Sequence, residues 1–252
     1  MLGRLRLWSH RWPRALAGML LPCSCALCGD TAQAVVCTPC RERYAAPGGP
    51  RCPCCANPLG AQEQAGQRCA RCLAEPPAFD ATVAAADYAA PFDALVLGLK
   101  FGARLPLAPW FAQQMLDAVL ARPGWPLPEL LCPVPLGRQR LVERGFNQAL
   151  EIARPLALSL GVPLRPRLVH RSIETLAQSG VAPSERADNI RGAFALADEA
   201  PDLVEGRHVG VVDDVMTSGH TLNELAATLK RAGAARVSNL VFARTPPHQG
   251  HR

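Results

Sequence analysis

The sequence predicts an α/β architecture: a mainly parallel sheet flanked by helices, preceded by a small cysteine-rich head. Three features of the 252-residue chain point to it. Beyond residue 80, short apolar runs alternate with amphipathic helical patterns, the order that builds a parallel sheet. In residues 211–221, VVDDVMTSGHT, an apolar strand pattern meets two acids and a Thr-Ser-Gly-His-Thr turn. The following TLNELAATLKRAG sets Leu222, Leu225, Ala226 and Leu229 on one helical face. Finally, ten of the eleven cysteines fall between Cys23 and Cys72.

The length suits one large domain or a medium one with a small one, and 49% hydrophobic residues suffice for a core. The net charge of +6 is uneven: residues 1–80 carry nine Arg against five acids, residues 81–252 eighteen basic against sixteen acidic residues. This bias permits contact with nucleic acid or anionic metabolites without demonstrating either. Lys100 and Lys230 are the only lysines. No apolar stretch reaches the roughly 20 residues of a membrane span. Residues 1–22 start basic and end apolar, but Trp and Arg interrupt the run, and Pro22 before Cys23 does not suit signal-peptide cleavage. They read as a basic N-terminal segment, either an untidy terminus or a helix for a partner or membrane surface, and the chain is expected to be cytoplasmic.

Eight of the clustered cysteines form four CxxC knuckles: Cys25/Cys28, Cys37/Cys40, Cys52/Cys55 and Cys69/Cys72. Each knuckle brings two thiolates to one metal, and two knuckles complete the tetrahedron that Zn²⁺ accepts. Residues 23–78 are therefore read as two structural Cys₄ zinc sites, with metal binding supplying folding free energy that so small an apolar core lacks. Disulfides would suit a secreted mini-domain instead; repeated CxxC without a convincing signal favours zinc. Sequential pairing of the knuckles is the simplest and crossed pairing stays open, as does a shift of ligand to Cys23 or Cys54.

AAPGGP at residues 45–50 separates the two pairs of knuckles, and AEPPAF at 74–79 ends the metal region. A second domain follows over residues 80–246. Residues 81–88 read as a strand; FDALVLGLKFG and PLAPWFAQQMLDAVLA read as amphipathic helices, the first with Lys100 near its end. LLCPVP is a buried strand, FNQALEIARPLALSLG a helix with a kink expected at Pro155, and RHVGVVDD and RVSNLVFA are strands. Residues 247–252 are expected to be a disordered tail. In such a sheet ligands bind at the carboxyl ends of the strands, where the two acids and the loop after Val134 belong.

The chemistry of that edge is that of a sugar phosphate. Gly219 permits a tight turn, while the hydroxyls of Thr217, Ser218 and Thr221 and the helix-start amides of Gly219 and His220 can surround a phosphate. Asp213 and Asp214 are acceptors, suited to paired sugar hydroxyls or hydrated Mg²⁺. PVPLGRQRLVERGFNQ sets Arg138, Arg140 and Arg144 near a strand end, suitable for a doubly charged leaving group, although an exposed basic helix start, taken alone, is the better account of them. The polar residues 171–194, with Arg171, Thr175, Gln178, Arg186 and Asn189, read as a mobile lid or as an ordinary surface loop.

The string DDVMTSGHT resembles the signature of type I phosphoribosyltransferases, which use 5-phosphoribosyl-1-pyrophosphate (PRPP). The resemblance implies that Asp213 and Asp214 hold the ribose 2- and 3-hydroxyls and that the loop wraps the 5-phosphate; His220 stands where the family often has a small residue. With the CxxC head, PVPL…RGFNQ and T…Q…ER…N…GAF, the chain over residues 20–245 is similar to the ComF family of bacterial competence proteins. That resemblance implies a double zinc ribbon on a type I phosphoribosyltransferase domain, PRPP and Mg²⁺ as ligands, and single-stranded DNA and DNA-uptake proteins as partners. The expected activity is phosphoribosyl transfer to an acceptor no residue set spells out, with Arg140, Arg144 and Arg186 as pyrophosphate or lid residues. The alternative is a non-catalytic scaffold that binds single-stranded DNA or an uptake partner.

Overall fold

The computed structural model describes residues 23–44, 49–60, 66–172 and 192–246. The chain divides into two compact units, Met1–Ala46 and Pro47–Arg252. In the smaller, β1 (Cys23–Ser24) pairs antiparallel with β2 (Thr31–Ala32), and α1 (Thr38–Tyr44) follows. Elements this short hold little through their own hydrogen bonds, so the cysteines they carry must contribute the stability.

The larger unit opens with the second pair of knuckles and α2 (Ala70–Ala74). Its centre is a four-stranded sheet in the order β3 (Ala81–Asp87), β8 (Arg236–Arg244), β7 (His208–Met216), β4 (Leu130–Pro133), every pair parallel. β8 is buried from Val237 to Arg244, the pattern of a parallel strand covered on both faces. On one face, α4 (Leu107–Leu120) stacks Phe111 on Phe242 at a centroid distance of 3.8 Å, beside α3 (Phe92–Phe101) and α6 (Gln148–Leu160). On the other, Leu222, Leu225, Ala226 and Leu229 of α8 (His220–Arg231) meet Val209, Val211, Val237 and Val241. Cys52, Cys54, Cys55, Cys69, Cys72 and Phe79 belong to that same apolar cluster, so the second cysteine group is built into the sheet's core.

Local chemistry explains the boundaries. The Asn147 side chain caps α6 by accepting from the Ala149 and Leu150 amides, and Gly161 closes the helix in the left-handed region. α6 runs from Gln148 to Leu160 with Pro155 inside it. β7 continues past both acids to Met216, because its pairing with β8 persists to Met216↔Arg244. Four short elements of the larger unit carry no readable periodicity: α5 (Arg138–Arg144), the antiparallel pair β5 (Val169–Arg171) and β6 (Phe194–Leu196), and α7 (Ala200–Val204). Thr175, Gln178, Arg186 and Asn189 of the expected lid, the N-terminal segment and the tail lie outside the described residues. No described helix is long and apolar enough to cross a membrane.

Candidate functional site

Parallel pairing brings the carboxyl ends of β4, β7 and β8 to one edge of the sheet. There β7 presents Asp213, partly buried, and Asp214, whose side chain is 3% exposed. The Asp214 amide donates to Asp213 Oδ1 at 2.9 Å, and the Val215 amide to Asp214 Oδ1 at 2.9 Å. Lys100 Nζ, from the last turn of α3, forms an ion pair with Asp214 Oδ2 at 2.9 Å. Burial, and then the neighbouring Asp214 charge, push the Asp213 carboxyl well above its ordinary range, with Lys100 opposing them. The sequence gives no sign that Lys100 reaches these acids; only the packing of α3 brings it there.

The loop after β7 turns at Gly219, which has a φ of +87° and is the N-cap residue of α8. No side chain caps this helix start, so no side-chain acceptor claims its first amides, and the partial positive end of α8 faces the loop. Thr217 and Ser218 are exposed, whereas His220 and Thr221 are partly buried. Beneath the loop lies Arg244, 3% exposed. Its Nη1 donates to Met216 O at 3.0 Å, to Thr217 O and to Thr245 O at 2.6 Å, and its Nε donates to Cys55 O at 2.9 Å. One guanidinium thus fastens the loop to the second cysteine group. A cavity of about 160 Å³ is lined by Ser218, Gly219 and His220 of the loop together with Arg71, Cys55 and Cys72.

Cations converge from the neighbouring strand. Asn147 Nδ2 donates to Val134 O at 3.0 Å, so the residue that caps α6 also fixes the loop after β4. That loop leads into α5, where Arg138 is exposed and Arg140 and Arg144 are partly buried. Burial lowers the Arg144 guanidinium's pKa, and the Asp214 and Asp213 charges act against that. Arg171, at the end of β5, is lowered by burial and by Arg140 and supported by Asp213. Arg144 also stacks over the Phe101 ring at 5.0 Å. Of the expected cations, Arg144 feels the charge of both acids and of Arg140 beside it; Arg186 lies outside the described residues.

The eight knuckle cysteines gather sequentially: Cys25, Cys28, Cys37 and Cys40 in one group, Cys52, Cys55, Cys69 and Cys72 in the other, the sulfurs of each within 4.8 Å of one another. Four thiolates about 2.3 Å from Zn²⁺ lie about 3.8 Å apart; Cys28 and Cys37 Sγ are 3.8 Å apart, and Cys55 and Cys69 Sγ 3.6 Å. Cys23 Sγ donates instead to Ala32 O, Cys54 Sγ to Phe79 O, and all eleven cysteines, each described, are free of disulfides. The Cys37 amide donates to Cys25 Sγ and the Cys69 amide to Cys52 Sγ, both at 3.3 Å. Burial raises the Cys25 thiol, but amide donations from Cys28, Cys37 and Leu27 together outweigh it and bring it down to about 6. The donor set fits Zn²⁺ in both groups.

Two known domain families match separate stretches of the chain. Residues 16–73 match the double zinc ribbon domain and residues 147–251 the phosphoribosyl transferase domain. "DNA utilization protein YhgH" of Salmonella typhi is 36% identical over 241 residues, 94% of this chain and 96% of that one. "Competence protein F" of Haemophilus influenzae is 31% identical over 77% of this chain and 85% of its own, and "Competence protein ComFC" of Bacillus subtilis 29% identical over 46% and 45%. Two Cys₄ groups and the ribbon match support two zinc sites, and the parallel sheet is that of a type I phosphoribosyltransferase fold. Sharing nearly its whole length with a DNA utilization protein, the chain belongs to the ComF family of competence and DNA-utilisation proteins, in which a double zinc ribbon precedes a phosphoribosyltransferase domain.

Proposed function

We propose that this chain is a cytoplasmic, Mg²⁺-dependent phosphoribosyltransferase that binds PRPP and transfers its phosphoribosyl group to an acceptor during the handling of incoming DNA. The observation that carries this reading is the edge itself, where two adjacent acids on β7 run into a loop that opens onto an uncapped helix start. Thr217, Ser218 and Thr221 offer hydroxyls, and Gly219 and His220 amides, to the 5-phosphate. Asp213 and Asp214 accept from the ribose diol. Arg140 and Arg144 neutralise the departing pyrophosphate as the bond from C1 to its oxygen breaks and the acceptor's bond to C1 forms. Arg186, from its place in the sequence, is a candidate for the lid over this reaction.

The site's chemistry suits Mg²⁺: two carboxylates supply hard oxygen ligands, and a divalent cation would relieve the penalty that burial places on the charged form of Asp213. Bound there with PRPP, the ion would add charge stabilisation to the leaving group. The zinc sites, closed by four thiolates each, take no part in the chemistry. A second reading, a scaffold that binds single-stranded DNA or an uptake partner without chemistry, draws on the Lys100 pair, which occupies an Asp214 oxygen that the ribose would need. Pyrophosphate release separates the two readings. With PRPP, Mg²⁺ and a panel of nucleobases, nucleosides and single-stranded oligonucleotides, the enzyme reading expects release that depends on one acceptor class and disappears in the Asp213→Asn/Asp214→Asn variant. Release no faster than in that variant, with every acceptor, favours the scaffold.

A further inference from the structure

Lys100 lies in none of the motifs that define this site, yet its ammonium reaches the more buried of the two acids. We propose that Lys100 is an exchangeable cation of the PRPP site: it neutralises Asp214 while no sugar is bound, and turns to the diphosphate when the ribose diol takes its place. This rests on the PRPP reading above.

The backbone that carries Lys100 is fixed. Leu95, Val96 and Leu99 of α3 are 0–1% exposed, and the Gly102 and Arg104 amides both close on Gly98 O, at 3.0 and 3.1 Å. Only the four-carbon stem can move, and the side chain is 21% exposed, so its tip can leave the carboxylate without repacking the helix. The next residue, Phe101, is 70% exposed and carries the Arg144 guanidinium on its ring. Lys100 is paired with Asp214, and Arg144 also feels the Asp214 charge, so two cations answer to the same carboxylate.

The Asp214 side chain is 3% exposed, so a sugar diol reaches it by displacing the ammonium that covers it. Its Oδ1 already accepts the Val215 amide, and its Oδ2 holds the ammonium. A diol that takes over this carboxylate leaves a partly buried ammonium without its counter-ion, which is costly unless another anion replaces it. The diphosphate of PRPP is that anion; ribose 5-phosphate has none. Lys100 thereby couples recognition of the diol to the presence of the diphosphate and discriminates PRPP from its hydrolysis product.

Titration calorimetry with PRPP and with ribose 5-phosphate, each with Mg²⁺, tests this on the full-length zinc-loaded protein. Lys100→Gln keeps a hydrogen-bond donor for Asp214 and removes the charge. It is expected to weaken PRPP binding at least about tenfold, the loss of one charge-assisted contact, and to leave ribose 5-phosphate within about twofold of wild type or tighter. Lys100→Arg, which retains the charge, should hold PRPP within about fivefold of wild type and keeps the test open should the Gln variant not fold. Equal weakening of both ligands would reduce Lys100 to a structural role, and unchanged or tighter PRPP binding in Lys100→Gln would also overturn the proposal. A folded wild type that binds neither ligand would remove the PRPP reading itself, an outcome distinct from failure of the variant comparison.

Discussion

Gly219 shows how much of the site one residue controls. At φ +87° a side chain is strained by about 1–2 kcal/mol, and a Cβ there would stand 2.6 Å from Met216 Cε, a flexible tip that can move aside. Strain is the larger effect, and a loop that relieved it would turn its amides away from the proposed phosphate position. Gly219→Ala should lower stability by about 1–2 kcal/mol in urea unfolding and weaken PRPP binding as well; unchanged PRPP affinity would mean that the loop does not bind the phosphate. The acids and this loop are legible in eleven consecutive residues because strand, turn and helix follow one another locally. Lys100 is not legible, since its partner is on another element and its surrounding pattern is that of an ordinary amphipathic helix. Asn147 was visible within a motif, but its two tasks, capping α6 and holding Val134 O, depend on where β4 ends.

At the scale of elements, the second cysteine group and β8 act as one support for the loop after β7. Arg244 spans Cys55 O, Met216 O and Thr217 O, and the Ala78 amide donates to Asn223 Oδ1 in the first turns of α8 at 2.7 Å. Losing the second zinc should free the Cys55 backbone and with it the Arg244 anchor. A Cys52→Ser/Cys69→Ser variant is expected to bind one zinc fewer per chain and PRPP at least about tenfold more weakly, the worth of a hydrogen bond to a charged group. Zinc analysis paired with PRPP titration measures both, and full PRPP affinity after loss of that zinc would refute the coupling. The main strands and long helices follow from their periodicity, with β7 longer than expected because β8 keeps pairing beyond the acids. α5, α7 and the β5–β6 pair escaped because runs of three to seven residues carry too little periodicity to separate from loops.

For the whole molecule, the knuckle count makes two metal groups legible, and their pairing follows from the fold. That the second group shares an apolar cluster with β7, β8 and α8 is written in no local pattern, because it depends on which side of the sheet the chain before β3 covers. Every role proposed above requires that the edge holding Asp213, Asp214 and the Gly219 loop is a PRPP site. Titration of the zinc-loaded protein with PRPP and Mg²⁺, beside the Asp213→Ala/Asp214→Ala variant, tests it most directly. Saturable binding is expected for the wild type and its loss in a variant still folded and still holding both zinc ions. No binding by a folded wild type, or equal affinity in the two proteins, would contradict it.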